Sequence, residues 1–374
     1  MNNFSFANLT NMLPSLTSPT NEDPVPPEQG AKESRVEPHD AESEPQAIDP
    51  RPLTPDNQKP KSNIQLINEC DNFPYFHNDA RRYMQHVNTY YHLQVAAYPD
   101  VTLGYVLPSV AEIFRGVPAW ELNDDDRTLT LVHGKDQAER SAIVASTCSA
   151  LRETGHFTIL KGWRNELYPV YGPKKDLLFS VERAASALLG VVTYGCHMTA
   201  YVRSEETDEI KIWTPRRAKT KQTYGGMLDN TVAGGIATGE DAFEGLVREA
   251  AEEASLPEDI VRKNVTATGV VSYFHIRDSR AGGETGLLQP EVQYIYDLEL
   301  PEDVIPKPSD DEVEEFYLLT VDEVKEKLRD GEFKPNCAVV LLDFFVRHGF
   351  LTAREDDYIQ IVARLHRLLE FPTK

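Results

Sequence analysis

Over about the first 62 positions the apolar residues follow no period, whereas from Ile64 onward two periods alternate along the chain. Helical spacing predicts helices over 80–91, 109–114, 138–152 and 176–189. The third places Ile143, Val144, Cys148 and Leu151 on one face. Gly155 and Gly190 stop the last two, and Ser109 is expected to cap the second. Two-residue alternation predicts strands over 128–132, 194–202, 210–213, 267–275, 292–300 and 314–319, with residues 205–208 as a charged turn. Further helices are expected over 321–328, 338–348 and 358–369. Strand pairs interrupted by helices, without regular alternation, predict a mixed sheet covered by helices on both faces. The reading divides the chain into a tail at 1–62, a smaller α+β domain at 63–190 and an α/β domain at 191–374.

Composition explains the tail. Residues 1–60 hold 11 of the 25 prolines and 10 acidic against 4 basic side chains, too little apolar surface to offset the entropy of ordering. They are expected to be disordered. Of the net charge of −22, this leaves −16 on the rest of the 374 residues, which argues against non-specific binding to nucleic acid or anionic lipid. No apolar run is long enough to span a membrane, and the N-terminus has no leader pattern. Cys70, Cys148, Cys196 and Cys337 lie too far apart for a zinc motif and read as free thiols in a reducing compartment. A cytoplasmic protein is expected.

One segment carries chemistry. A helix over 247–254, with Asp241 or Thr238 available to cap its start, places Glu249, Glu252 and Glu253 at i, i+3 and i+4 on one face. Carboxylates so close repel unless a cation sits among them, and hard oxygen ligands in this number suit Mg²⁺ or Mn²⁺. Arg248 is spaced to reach back to Glu240 and so orient these ligands. Gly234, Glu240 and the run Arg248-Glu249 … Glu252-Glu253 fall in the register Gx5Ex7REUxEExGU, with Ala250 and Ser255 as the two departures. That register is the Nudix box, and the segment resembles it at every charged position.

Flanking runs narrow the resemblance. WRNELY at 163–168, YGCHMTAY at 194–201, LDNTVAGG at 228–235 and KPNCA at 334–338 are similar to a eukaryotic Nudix group related to thiamine pyrophosphokinase, with an uncharacterised domain before the Nudix fold. The resemblance implies a Nudix α/β/α sandwich and Mg²⁺-dependent hydrolysis of a small-molecule diphosphate. The implied substrates are oxidised or damaged thiamine diphosphates, or alternatively oxidised nucleoside diphosphates such as 8-oxo-dGDP. A non-catalytic Nudix-fold binding module is a reading of another class, and intact Glu249, Glu252 and Glu253 speak against it. Ala233 stands where isopentenyl-diphosphate isomerases carry a cysteine, which argues against isomerase chemistry. No separate kinase domain is apparent.

For the substrate itself, Arg216, Arg217 and Lys221 lie in a run of four cations within six positions that suits phosphate. Glu314, from the acidic cluster formed with Asp310, Asp311, Glu312 and Glu315, is the chosen base outside the box. Trp163, Tyr168 and Tyr171 read either as a stacking platform or as packing, and Glu166 as a hydrogen-bond partner for a heterocycle nitrogen. Glu291 is placed toward the cleft, His197 reads as a structural strand histidine, and Cys196 and Cys337 as buried thiols. Oligomeric state is not legible.

Overall fold

The computed structural model describes residues 60–309 and 311–374, so nearly all of the expected tail, and Asp310, lie outside the described residues. Residues 60–374 form one compact unit. Its first part runs through α1 (Asn63–Cys70), α2 (Ala80–Thr89), β1 (Tyr91–Val95), β2 (Gly104–Val106), α3 (Pro108–Ala111), β3 (Trp120–Asn123), β4 (Thr128–Leu131) and α4 (Gln137–Thr154). The hairpin β5 (Leu167–Tyr171) and β6 (Leu177–Glu182) and the short α5 (Ser186–Leu189) complete it. Strands pair in the order β2-β1-β4-β3. Asp136 caps α4 by accepting from the Glu139 N–H, and Gly155, at φ 65°, ends it.

The second part contains β7 (Thr193–Arg203), β8 (Ile210–Arg217), β9 (Val232–Gly235), α6 (Ala242–Ala254), α7 (Glu258–Asn264), β10 (Val265–Ile276), β11 (Leu288–Glu299) and β12 (Val313–Thr320). It closes with α8 (Val321–Arg329), α9 (Pro335–Arg347) and α10 (Tyr358–Arg364). The sheet runs β10-β11-β7-β8-β12, with β7 and β11 parallel. One edge of β7 is shared: Tyr201–Arg203 pairs with β8, and Gly195–Met198 pairs with β9.

Strand alternation builds two cores. Ala200 and Val202 of β7 and Phe274 of β10 pack with Leu246, Val247 and Ala250 of α6. Tyr201, Val271 and Tyr273 turn to the opposite face and pack with α9. Residues 337–345 of α9 are buried all round, because the sheet covers one side and α1 the other. The expected mixed sheet with helices on both faces is therefore present. Leu66, Ile67 and Cys70 of α1, assigned by sequence to the N-terminal domain, belong to the α9 core.

Three expected elements differ. Residues 176–189 are not one helix: 177–182 is a strand, since Leu178, Phe179 and Val181 are all buried against β5, a pattern no amphipathic helix produces. Leu107, not Ser109, occupies the cap of α3, where Pro108 takes the first turn. The helix expected over 358–369 stops at Arg364, because His366 bridges Ser272 on the edge of β10.

Ser255, the departure from the box glycine, ends α6 in the left-handed region at φ 52°, ψ 30°. Ser255→Gly is therefore expected to stabilise the fold by about 0.5–1 kcal/mol in thermal melts, since a Cβ is disfavoured there. A lower Tm would contradict this reading.

Candidate active site

Strand β9 and helix α6 hold the box carboxylates by backbone contacts. The Ala233 N–H donates to Glu253 Oε2 at 3.0 Å. Glu249 lies flat on Gly234, where an added Cβ would come within 2.2 Å of its carboxyl carbon. The box glycine is thus the space that Glu249 occupies. Asp241 caps α6 by accepting from the Phe243 and Glu244 N–H groups at 2.9 and 3.3 Å. Thr238 instead donates to Ser180 across to β6.

Arg248 organises the cluster. Its Nε donates to Glu240 at 2.9 Å, and its Nη1 donates to Glu249 at 2.9 Å and Glu252 at 3.0 Å. Burial, then the neighbouring Glu249 charge, pushes the Glu253 carboxyl up to about 8, and burial also raises Glu249. Glu249 and Glu253, held against β9, and the half-exposed Glu252 offer a set of hard oxygen donors. These residues fit a divalent cation such as Mg²⁺ or Mn²⁺.

They face a cavity of about 650 Å³. Its floor includes the backbone of Gly195, Gly234 and Gly235; a Cβ on Gly235 would fall 1.9 Å from the Tyr168 hydroxyl. The N-terminal region supplies a wall through Glu166, Tyr168 and Arg183. Strands β10 and β11 supply another, where the buried Glu291 accepts from Tyr273, Gln289 and Gln293. Gln293 Oε1 is buried with no hydrogen-bond partner among the described residues.

Several residues chosen from sequence reach this cavity and others do not. Arg217 lines it and pairs with buried Asp229 at 2.5 Å, and Lys221 lines it and pairs with Glu312. Arg216 points the other way, to the Gly226 carbonyl at 2.9 Å and Glu332 at 3.3 Å, because adjacent strand residues face opposite sides. Trp163 is not a cavity residue: it packs on the N-terminal core, with the Arg152 guanidinium 4.9 Å from its ring. Tyr171 packs edge-on against Tyr194 at 5.6 Å.

Glu314 is exposed and outside the cavity, while Glu312, two residues earlier, lines it and also meets Arg164 at 3.3 Å. A bulge between Val313 and Glu315 upsets the face count along β12. Sequence reasoning missed Arg183, Lys334 and Gln293 as lining residues; only their fold neighbours reveal them.

His197 is buried, and its Nδ1 meets Asn230 Oδ1 at 2.7 Å. Burial, then the Lys334 charge, lowers it to about 4, so the ring is neutral. Ligand atoms of His197, Asp229 and Cys337 lie within 4.8 Å of one another, but Arg217 already supplies the counter-charge for Asp229. All four cysteines are free and buried, and burial pushes Cys196 up to about 12, which leaves it an unreactive thiol.

Comparison with known proteins matches two family models to successive stretches of the chain. A domain of unknown function, DUF4743, matches residues 76–193, and the NUDIX domain matches residues 197–337. The uncharacterized protein YJR142W of Saccharomyces cerevisiae is 41% identical over 255 residues, covering 67% of this chain and 74% of that protein. Two Arabidopsis thaliana proteins, Nudix hydrolase 20, chloroplastic, and Nudix hydrolase 24, chloroplastic, are 38% and 36% identical over 240 residues, 64% of this chain. The matched regions span only 60% and 62% of those plant proteins.

Proposed function

Because the chain belongs to the Nudix family, we propose that it hydrolyses the diphosphate bond of a small molecule with Mg²⁺ or Mn²⁺, releasing a monophosphate and phosphate. The observation that carries this reading is the pairing of Glu249 and Glu253 on the β9 backbone beneath the cavity. Glu249, Glu252 and Glu253 would hold the ion. Bound there, a divalent cation would supply neutralising charge for the diphosphate oxygens and acidify the attacking water. Arg248 fixes two of the carboxylates in place, and Glu240 anchors Arg248. Lys221 and Arg217 contribute positive potential at the cavity wall, though each already has a carboxylate partner. Lys334 lines the cavity with no carboxylate partner among the described residues. A carboxylate within the box is better placed than the exposed Glu314 to take the proton of the water.

For the organic half, the proposal follows the resemblance to the group related to thiamine pyrophosphokinase and assigns oxidised or damaged thiamine diphosphates. Support comes from the polar wall. Gln289, Glu291 and Gln293 give that wall side chains able to hydrogen-bond a heterocycle. Four buried free thiols support a reducing compartment, and the cytoplasm is the proposed location. Among the described residues no helix is long and apolar enough to cross a membrane.

The test is phosphate release with Mg²⁺ across thiamine, oxothiamine and oxythiamine diphosphates, ADP, 8-oxo-dGDP, ADP-ribose and isopentenyl diphosphate. The expected result is a preference of about tenfold or more for an oxidised thiamine compound. Preference for 8-oxo-dGDP would retain the metal site and overturn the substrate.

A further inference from the structure

The N-terminal region does more than flank the Nudix domain. It places Arg183 at the cavity wall, at the start of a 3₁₀ turn directly after β6. The residue is pinned at both backbone ends: its N–H donates to the Glu166 carbonyl at 2.8 Å, and its carbonyl accepts from Ser186 Oγ at 2.8 Å. Its guanidinium carbon lies 5.6 Å from the centre of the Tyr168 ring, whose hydroxyl rests on Gly235 beside the Glu249 cradle. Arg183 thus shares the cavity lining with Glu249, and its positive charge acts on that carboxylate.

Its hydrogen-bonding capacity is mostly unspent. Nη1 donates to Glu166 Oε2 at 2.8 Å, while Nε and Nη2 engage no partner among the described residues. The side chain keeps 34% of its surface exposed, toward a cavity rather than a flat surface. Arg217 differs: its fork is divided between Asp229 and the Thr223 carbonyl. A guanidinium held from one side, with two adjacent N–H groups open, has the geometry that takes a phosphate in bidentate fashion.

We infer that Arg183, contributed by the region before the Nudix domain, is a substrate-binding residue that grips a phosphate of the diphosphate across from Glu249. Glu166 is then a positioning residue that aims the guanidinium, rather than a partner for a heterocycle. The inference rests on the diphosphate reading above. It makes the N-terminal region a structural part of the active site.

The experiment measures calorimetric binding of methylenediphosphonate, which resists hydrolysis, to the full chain loaded with Mn²⁺, for wild type, Arg183→Gln and Arg183→Lys. Arg183→Gln is expected to weaken binding at least tenfold. Arg183→Lys, which keeps the charge but loses the fork, is expected to weaken it about threefold. Mn²⁺ affinity measured by electron paramagnetic resonance should not fall below about half of wild type in either variant. If Arg183→Gln fails to fold, the Lys variant decides. Wild-type binding in the folded variants, or no binding by wild type itself, would overturn the inference. Failure of wild type to release phosphate from any diphosphate would instead sink the proposed function, and the binding measurement would still judge Arg183.

Discussion

Replacing Glu253 by Gln is expected to lower Mg²⁺-dependent turnover by about 10³-fold or more, with the fold intact. The carboxamide has the same shape and still offers an oxygen to the Ala233 N–H, so the β9–α6 contact survives. What disappears is the negative charge that a divalent cation would meet. In the metal-free protein burial and the neighbouring Glu249 disfavour that charge and hold the carboxyl up at about 8, so the neutral amide loses little there. The variant should therefore melt at the wild-type temperature or slightly above it. Near-normal activity, measured on protein shown to be folded, would remove Glu253 from the metal site.

The second large effect lies away from the chemistry. Asp71→Ala is expected to destabilise the fold by about 3 kcal/mol, the low end of the cost of breaking a buried ion pair from one side, because Arg367 keeps Glu370 at 2.9 Å. Asp71 and Arg367 are both 1% exposed and pair at 3.1 Å, with Arg364 also at 3.1 Å. The same carboxylate accepts the Phe274 N–H at 3.0 Å. Arg367 donates to the Phe73 and Pro74 carbonyls, and its guanidinium lies 4.1 Å from the Tyr75 ring centre. Phe73 stacks on Phe274 at 4.1 Å. One carboxylate thus ties the chain after α1, the cavity strand β10 and the C-terminal segment together. A chemical-denaturation series would read the loss, and a cost below about 1 kcal/mol would mean the pair does not hold these segments.

The site divides into parts the sequence could specify and parts it could not. Spacing alone brings Glu249, Glu252 and Glu253 to one helix face and Arg248 near Glu240, because helical register is local. Strand register carries less information. Nothing in the run 216–221 says that Arg217 turns toward the cavity while Arg216 turns away, since that depends on which sheet face the cavity borders. Glu312 rather than Glu314 borders the cavity for a related reason, as the bulge in β12 shifts the face by one residue. Trp163 and Arg183 were beyond local reasoning altogether. Their surroundings come from α4, β5 and the glycines of β9, distant in sequence. The strand at 177–182 is not legible as one in the sequence, because a fully buried strand loses its two-residue alternation.

The central claim, that these carboxylates form a metal-dependent diphosphatase, is tested most directly by phosphate release from the full chain across the diphosphate panel. Wild type and Glu253→Gln would be compared with Mg²⁺ and with the metal chelated. The account predicts release by wild type that needs the metal and is lost in the variant. Metal-independent release, equal release by both proteins, or none from any diphosphate with either Mg²⁺ or Mn²⁺ would contradict it.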